Sequence, residues 1–398
     1  MKFAHLADCH IGSWRDPKLS NLSTEAFEKA IDLCIARKVD FVVIAGDLFN
    51  TSVPGIDKLK ETTRKLKSLQ DSGIRCYLIP GSHDFSPSGK TMLDVLEHAG
   101  LCVNVCKGTE ADGKLRLSFT VDPKTGVKIT GMLGRRASLD KSYYEDLDRS
   151  IEREEGFKIF LFHALLSELK PNGLAEVDSH PVSLLPKNFN YYAGGHPHFV
   201  THQHIEGYGL IAYPGPLFPN NFKELEELKG GGFYIYQDGV LTWEPIQIHN
   251  VSPIAVDCDH LTPDQAYQKI MEEIRGKEFI DSIITLRISG TLASGRPTDI
   301  PFKDIIHALE EKGAYFVMKN TAALVSREFE EIKIDAANAE QVEEKLIKEH
   351  LSQNSPFSDE TRVLREVMLM LSTSKMEGET VATFEKRVID DISKILLN

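Results

Sequence analysis

The sequence predicts an α/β architecture with two sheets, followed by a smaller α+β unit and a helical tail. Three observations carry this. Apolar strand-like runs alternate with helical patterns through roughly the first hundred residues. Short apolar runs separated by turn residues then continue to residue 246. Beyond Ile334 the chain becomes highly charged with helical spacing. At 398 residues it is long for one core, and two or three domains are expected. We place them at 1–250, 251–335 and 336–398.

The elements follow in order. Residues 2–7 read as a strand, 24–37 as a helix, 41–45 as a strand, 58–69 as a helix, 75–79 as a strand and 91–98 as a helix. This is βαβαβα. From Lys114 the pattern changes to strands at 115–121, 127–133, 158–162, 191–193, 199–205, 210–213, 232–236 and 240–246. A break is expected at 249–253. Strand, helix (263–274), strand (283–288), helix (302–311) and strand (315–318) make the small α+β unit. Helices at 359–373 and 380–397, with a turn at 375–379, close the chain. Ser358, Asp359 and Glu360 make a helix start. Val367, Met368, Met370, Leu371, Phe384, Val388, Ile392 and Ile395 form apolar stripes.

Composition narrows the class. No apolar run reaches the length of a membrane span, and MKFAHLADCH lacks the pattern of a signal peptide, so the chain is expected in the cytoplasm, away from membranes. The six cysteines are scattered and read as cytosolic thiols. A net charge of −13 argues against non-specific coating of nucleic acid but not against a local basic groove.

Residues 79–93, IPGSHDFSPSGKTML, hold a false lead. A nucleotide-binding P-loop needs Gly-x-x-x-x-Gly-Lys-Ser/Thr. Counting back from Gly89-Lys90-Thr91, the first glycine position holds Asp84, and Pro87 removes an N–H from the loop. Ser88-Gly89 reads as a turn into the next helix.

The chemistry lies in the strand ends. Asp8 and His10 follow the first strand, Asp47 the second, and Ser82-His83-Asp84 the third. His163 ends the run at 158–162, and His196 and His198 follow 191–193. α/β sheets place ligands at such ends. In Asp8-x-His10 and His196-x-His198, alternate residues of extended backbone face the same way and can share a metal. Asp47, with an oxygen on each side, can bridge two ions, and a close ion pair can clamp a phosphate and activate water. Mixed carboxylates and imidazoles suit Mn²⁺, Fe²⁺ or Zn²⁺ better than Mg²⁺. Each piece alone is weak; five on successive strand ends are specific.

This order resembles the calcineurin-like metallophosphoesterases, whose fold is a two-sheet sandwich flanked by helices. LADCHIG, IAGDLFN, the IPGSHD loop and YPGPLFPNNFKELEELKGGGFYIY, taken as closing strands, resemble the SbcD-type nucleases of bacteria and archaea over the first 250 residues. The resemblance implies a two-Mn²⁺ exonuclease, with endonuclease action as a further mode, in a double-strand-break repair complex. It implies one ion at Asp8, His10, Asp47 and His198, and a second at Asp47, His163, His196 and an asparagine position. His83 would face the scissile phosphate as a catalytic residue without binding metal. The α+β unit would be a DNA-capping domain. The C-terminal helices would bind a coiled-coil ATPase, and helices 58–69 and 91–98 would form a homodimer.

Ser82 departs from the pattern, which has asparagine there. Serine offers a neutral oxygen on a shorter side chain. Either the loop shifts for direct ligation, or water fills the gap, or the site is degenerate and the chain is a scaffold. A phosphatase or small-molecule phosphodiesterase on the same fold is the other alternative. Asp84 is expected to orient His83 or its loop, and Cys9 to pack inertly. His202 and His204 are assigned to one face of a strand. His5 is assigned to the core, and His180 is left without a partner. For DNA, Arg15, Lys18, Lys90, Arg135 and Arg136 are candidate backbone contacts. Lys58, Lys60, Arg64, Lys65 and Lys67 read as a solvated helix face.

Overall fold

The run Phe41–Ala45 is apolar at every position because its sheet is covered on both sides. Phe41, Val43 and Ala45 face a second sheet, whereas Val42 and Ile44 face helices. The same alternation recurs in the neighbouring strands. Phe3 and Ala7 point inward with them, and Ala4 and Leu6 point to the helices.

A computed structural model describes residues 1–86, 91–135, 139–171, 173, 176–327, 363, 366–367, 370–371, 373, 375 and 379–397. In order the elements are β1 (Lys2–Leu6), α1 (Pro17–Ala36), β2 (Phe41–Ala45), α2 (Ile56–Asp71), β3 (Arg75–Ile79), α3 (Met92–His98) and β4 (Val103–Asn104). Then come β5 (Gly108–Ala111), β6 (Lys114–Leu117), β7 (Thr120–Val121), β8 (Lys128–Gly131), α4 (Lys141–Glu145), β9 (Lys158–His163), β10 (Tyr191–Gly195), β11 (Thr201–Ile205) and β12 (Gly209–Tyr213). They are followed by α5 (Phe222–Leu228), β13 (Gly231–Gln237), β14 (Val240–Ile246), β15 (Asn250–Asp257), α6 (Pro263–Ile274), β16 (Ser282–Leu292), α7 (Phe302–Glu311), β17 (Ala314–Ser326) and α8 (Val381–Leu397). The chain divides into two compact units, Met1–Glu328 and Phe329–Asn398.

Two six-stranded sheets, ordered β14-β13-β1-β2-β3-β4 and β11-β12-β10-β9-β8-β7, form the body of the first unit. Strands β1 to β4 are mutually parallel, as are β8, β9, β10 and β12. Between the sheets, Phe3, Phe41, Tyr77, Ile159, Leu161 and Tyr191 share one core. Outside the first sheet, Phe27 and Ile31 of α1 and Leu66 and Leu69 of α2 cover a second core. The C-terminal ends of β2 and β9 meet, since the His163 ring is 2.8 Å from the Ala45 carbonyl. Five chemistry-bearing loops therefore open on one edge.

Several boundaries differ from expectation, each for a local reason. Helix α1 starts at Pro17, well before residue 24, because Asp16 caps it by accepting the Lys18 N–H at 2.9 Å. Lys18 thus lies in the first turn of the helix. The expected strand 115–121 is split between β6 and β7. The stretch taken as closing strands contains α5, begun by Asn221 accepting the Glu224 N–H at 2.9 Å. The break expected at 249–253 falls at 247–249, between β14 and β15, and β15 already runs through Pro253. Strand β15 is an edge strand, where a missing N–H is tolerated on the free side. Ile283 of the small sheet belongs to the main helix-side core, and Val251, Phe316 and Met318 pack on it.

Of the helix expected at 359–373, most residues lie outside those described, as do 336–362, the turn residues 376–378, Ser88-Gly89, Lys90 and Arg136. Helix α8 matches its expected range.

Candidate metal centre

Strand ends set the site's backbone. Asp8, His10, Asp47 and His196 all have positive φ, at 50°, 42°, 51° and 92°. Non-glycine residues rarely adopt this conformation, which costs on the order of 1–3 kcal/mol each. The loops after β1 and β2 are laced to hold it: the N–H groups of Asp8, His10 and Ile11 donate to the carbonyls of Gly46, Asp47 and Leu48 at 3.2, 2.9 and 3.0 Å. Asp84 fastens the third loop. Its carboxylate is 1% exposed and accepts the N–H groups of Leu48, Phe49 and Gly81 at 3.1, 3.0 and 3.1 Å. It orients the loop rather than the His83 ring, which turns Nδ1 to the Asn50 carbonyl at 2.8 Å. Gly81 is required here, since a Cβ would run into Asp47 Oδ1.

The side chains converge. Asp8, His10 and His198 form one group of close donor atoms; His10, Asp47 and His83 form another; Asp8, Asp47 and His163 form a third. His10 Nε2 is 3.1 Å from His198 Nε2 and 3.7 Å from Asp47 Oδ2. His163 Nε2 is 3.1 Å from the same Oδ2. Asp47 thus turns one oxygen to both sides, while its Oδ1 accepts the His83 N–H at 2.7 Å. His196 donates its backbone N–H to Asp8 at 3.0 Å, and its ring lies 5.2 Å from that of His163. The Ser82 hydroxyl is 3.4 Å from Asp47 Oδ2, against the shared carboxylate. His10, Asp47, Ser82, His83, His196 and His198 line a cleft of about 790 Å³ with Asn50, Asn220 and Lys223.

The donor set fits a divalent cation. Two ligands on one ion at ~2.0–2.2 Å lie about 3.0–3.5 Å apart, which matches the 3.1 Å separations of His10 from His198 and of His163 from Asp47. His163 Nε2, although 3.1 Å from Asp47, is off line for a hydrogen bond and, like His10 Nδ1, is buried with no hydrogen-bond partner among the described residues. His163 donates Nδ1–H to Ala45 O, which makes Nε2 the nitrogen that meets a metal once its proton is displaced. Electrostatics divide the imidazoles. Burial opposes charge on His163, yet the Asp47 carboxylate more than offsets it and lifts the imidazole to about 10. Burial pushes Asp8 up to about 6 and His10 down to about 3. Burial likewise holds His196 at about 4. Burial thus keeps His10 and His196 neutral, whereas His163 and His198, held up by neighbouring carboxylates, must give up a proton to take an ion.

The sequence profile of calcineurin-like phosphoesterases matches residues 1–206. The chain belongs to the calcineurin-like phosphoesterases. It is accordingly a metal-dependent hydrolase of phosphate esters, with the convergent acid–histidine cluster as the candidate site. Relatives narrow the neighbourhood of this phosphoesterase. It is 28% identical over 295 residues to the DNA double-strand break repair protein Mre11 of Methanococcus maripaludis, covering 69% of this chain and 74% of that one. Against the protein of that name from Archaeoglobus fulgidus it is 27% identical over 236 residues, covering 57% of this chain and 52%, about half, of the relative. Against that of Sulfolobus acidocaldarius it is 22% identical over 392 residues, covering 95% and 97%.

Other expected residues are placed elsewhere. Arg15 and Lys18 are exposed and line no described cleft; the Lys18 ammonium lies 5.8 Å from the Tyr315 ring. Arg135 flanks His83 in an adjoining pocket. His202 and His204 sit outside the cluster on β11, and His5 is buried against Tyr191 OH at 2.9 Å. Cys9 is buried. Sequence reasoning missed Glu224, whose Oε1 is 2.9 Å from His198 Nδ1. The Asn221–Glu224 helix start was its only signal. Reasoning also missed His180, whose Nε2 lies 3.4 Å from Asp140 Oδ2, both buried, in a cavity of about 180 Å³ shared with His163 and His196.

Proposed function

We propose that this phosphoesterase is the Mn²⁺-dependent DNA nuclease subunit of a double-strand-break repair complex, acting as an exonuclease with endonuclease cleavage as its second mode. The observation that carries it is the two-sided cluster around Asp47 Oδ2, in a chain whose relatives are named for double-strand break repair. Asp8, His10, Asp47 and His198 would hold one ion, and Asp47, Ser82, His163 and His196 the second. Bound divalent ions supply Lewis acidity toward a phosphodiester and an activated water at neutral pH. His83 is half-buried at the cleft floor, with Nδ1 held by Asn50 O. In its imidazolium form the other ring nitrogen donates to the phosphate or to the departing oxygen. Glu224 keeps His198 in register for its ion.

Residues 251–335 are read as a DNA-capping module. Helix α8 presents Phe384, Val388, Ile392 and Ile395 at helical spacing and is read as part of the site for a coiled-coil ATPase. Helices α2 and α3 are read as the homodimer surface. The chain is assigned to the cytoplasm.

Ser82 favours a second reading, a catalytically weak DNA-binding scaffold, because its hydroxyl sits on Asp47 rather than reaching as far as an asparagine oxygen. Mn²⁺ titration of cleavage on a linear duplex separates the two, with the protein, Ser82→Asn and His83→Ala side by side. The nuclease reading expects cleavage that His83→Ala abolishes and a lower Mn²⁺ requirement for Ser82→Asn. Silence that Ser82→Asn restores makes the chain a scaffold. Hydrolysis of a simple phosphodiester without DNA cleavage makes it a phosphodiesterase.

A further inference from the structure

Arg135 is not a free surface cation. Its guanidinium carbon lies 4.8 Å from the Phe85 ring centre, and Nη1 donates to Tyr143 OH at 3.0 Å. Its Nε is buried without a hydrogen-bond partner among the described residues. The guanidinium plane is therefore held against an aromatic ring. It forms one wall of a pocket of about 520 Å³, whose other sides are Thr51, Ser52, His83, Phe85 and Leu139. Leu139 is 58% exposed, an apolar side chain kept at the rim with no core to fill. Ser82 and His83 line both this pocket and the larger cleft over the acid–histidine cluster.

We propose that this pocket holds one unpaired nucleobase next to the scissile phosphate, stacked on the Arg135 guanidinium that Phe85 backs and flanked by Leu139. The proposal rests on the nuclease reading and extends it to a substrate class. A phosphate over the cluster has a neighbouring nucleoside within reach of the pocket, because the two spaces share His83. A pocket with a cation–aromatic wall and an apolar rim suits a flat heterocycle, which stacks whatever its sequence. A base in that pocket has left the duplex stack, so the preferred substrate is a frayed end or a single strand. A backbone phosphate is the poorer occupant, since the wall it would meet includes Phe85 and Leu139.

The test is Mn²⁺-supported cleavage of single-stranded oligonucleotides by the full chain. The nucleotides flanking one bond are either normal or abasic. The expected result is at least tenfold higher kcat/KM at the bond flanked by bases. Arg135→Ala should bring the ratio of the two substrates close to one. Arg135→Lys, which keeps charge and loses the plane, should not restore it. Thermal melting of both variants checks that they are folded. Equal cleavage of normal and abasic strands by the unaltered protein overturns the pocket assignment and leaves the nuclease reading standing. An equal loss on both strands in Arg135→Ala overturns it too, making Arg135 a phosphate contact. Hydrolysis of bis-p-nitrophenyl phosphate with no cleavage of either strand removes the nuclease reading and the pocket with it.

Discussion

Glu224 Oε1 accepts from His198 Nδ1 at 2.9 Å, so the helix between β12 and β13 sets the orientation of a candidate metal ligand. Burial opposes charge on His198, yet the hydrogen bond to Glu224 together with the negative charges of Asp8, Glu224 and Asp47 more than offsets it and raises the imidazole's pKa. The same carboxylate accepts the Asn220 N–H at 2.7 Å. One residue thus ties a loop, a helix start and an imidazole together.

Glu224→Gln should therefore weaken Mn²⁺ binding by about 10- to 100-fold, the usual cost of losing a carboxylate that orients a ligating histidine. Calorimetric Mn²⁺ titration measures this. An unchanged affinity would show that His198 is oriented without Glu224.

Mn²⁺ affinity should fall as pH drops through about 6, because burial keeps Asp8 protonated below that value and an ion must displace the proton. At pH 8 binding should still release a proton, since Asp47 holds the His163 imidazole up at about 10. Titration in two buffers of different ionisation enthalpy counts the protons. Zero release at pH 8 would place the ion away from His163.

Asp84→Asn should destabilise the fold by about 1–3 kcal/mol, because an amide nitrogen would face backbone N–H donors that the carboxylate now accepts. Urea unfolding measures the midpoint. A loss below a few tenths of that would mean the loop is held elsewhere.

Gly81→Ala should lower Mn²⁺ affinity more than it lowers the melting temperature, since the new methyl runs into Asp47 Oδ1 at the centre of the cluster. The reverse ranking would indicate a purely structural glycine.

Legibility followed range. Phe41–Ala45 was readable because five consecutive apolar residues between turn signals admit a buried strand. Helix α1 was readable in type but not in start, since its Asp16 cap lies among polar residues that mimic a loop. Pro253 misled because proline breaks central strands and spares edge strands, and edge position is a property of the sheet. Asp47 was expected to give one oxygen to each side. It gives Oδ2 to both because the His83 N–H occupies the other.

By itself the sequence determined the order of strands and the acid and imidazole groups at their ends, because each group is covalently adjacent to the strand that presents it. Tertiary structure alone decided the partners. His10 meets His198 across 188 residues, His163 meets Ala45 across 118, and Glu224 meets His198 across 26. Such meetings depend on how two sheets stack and where a helix lands, and no local propensity encodes a distance between side chains on separate elements.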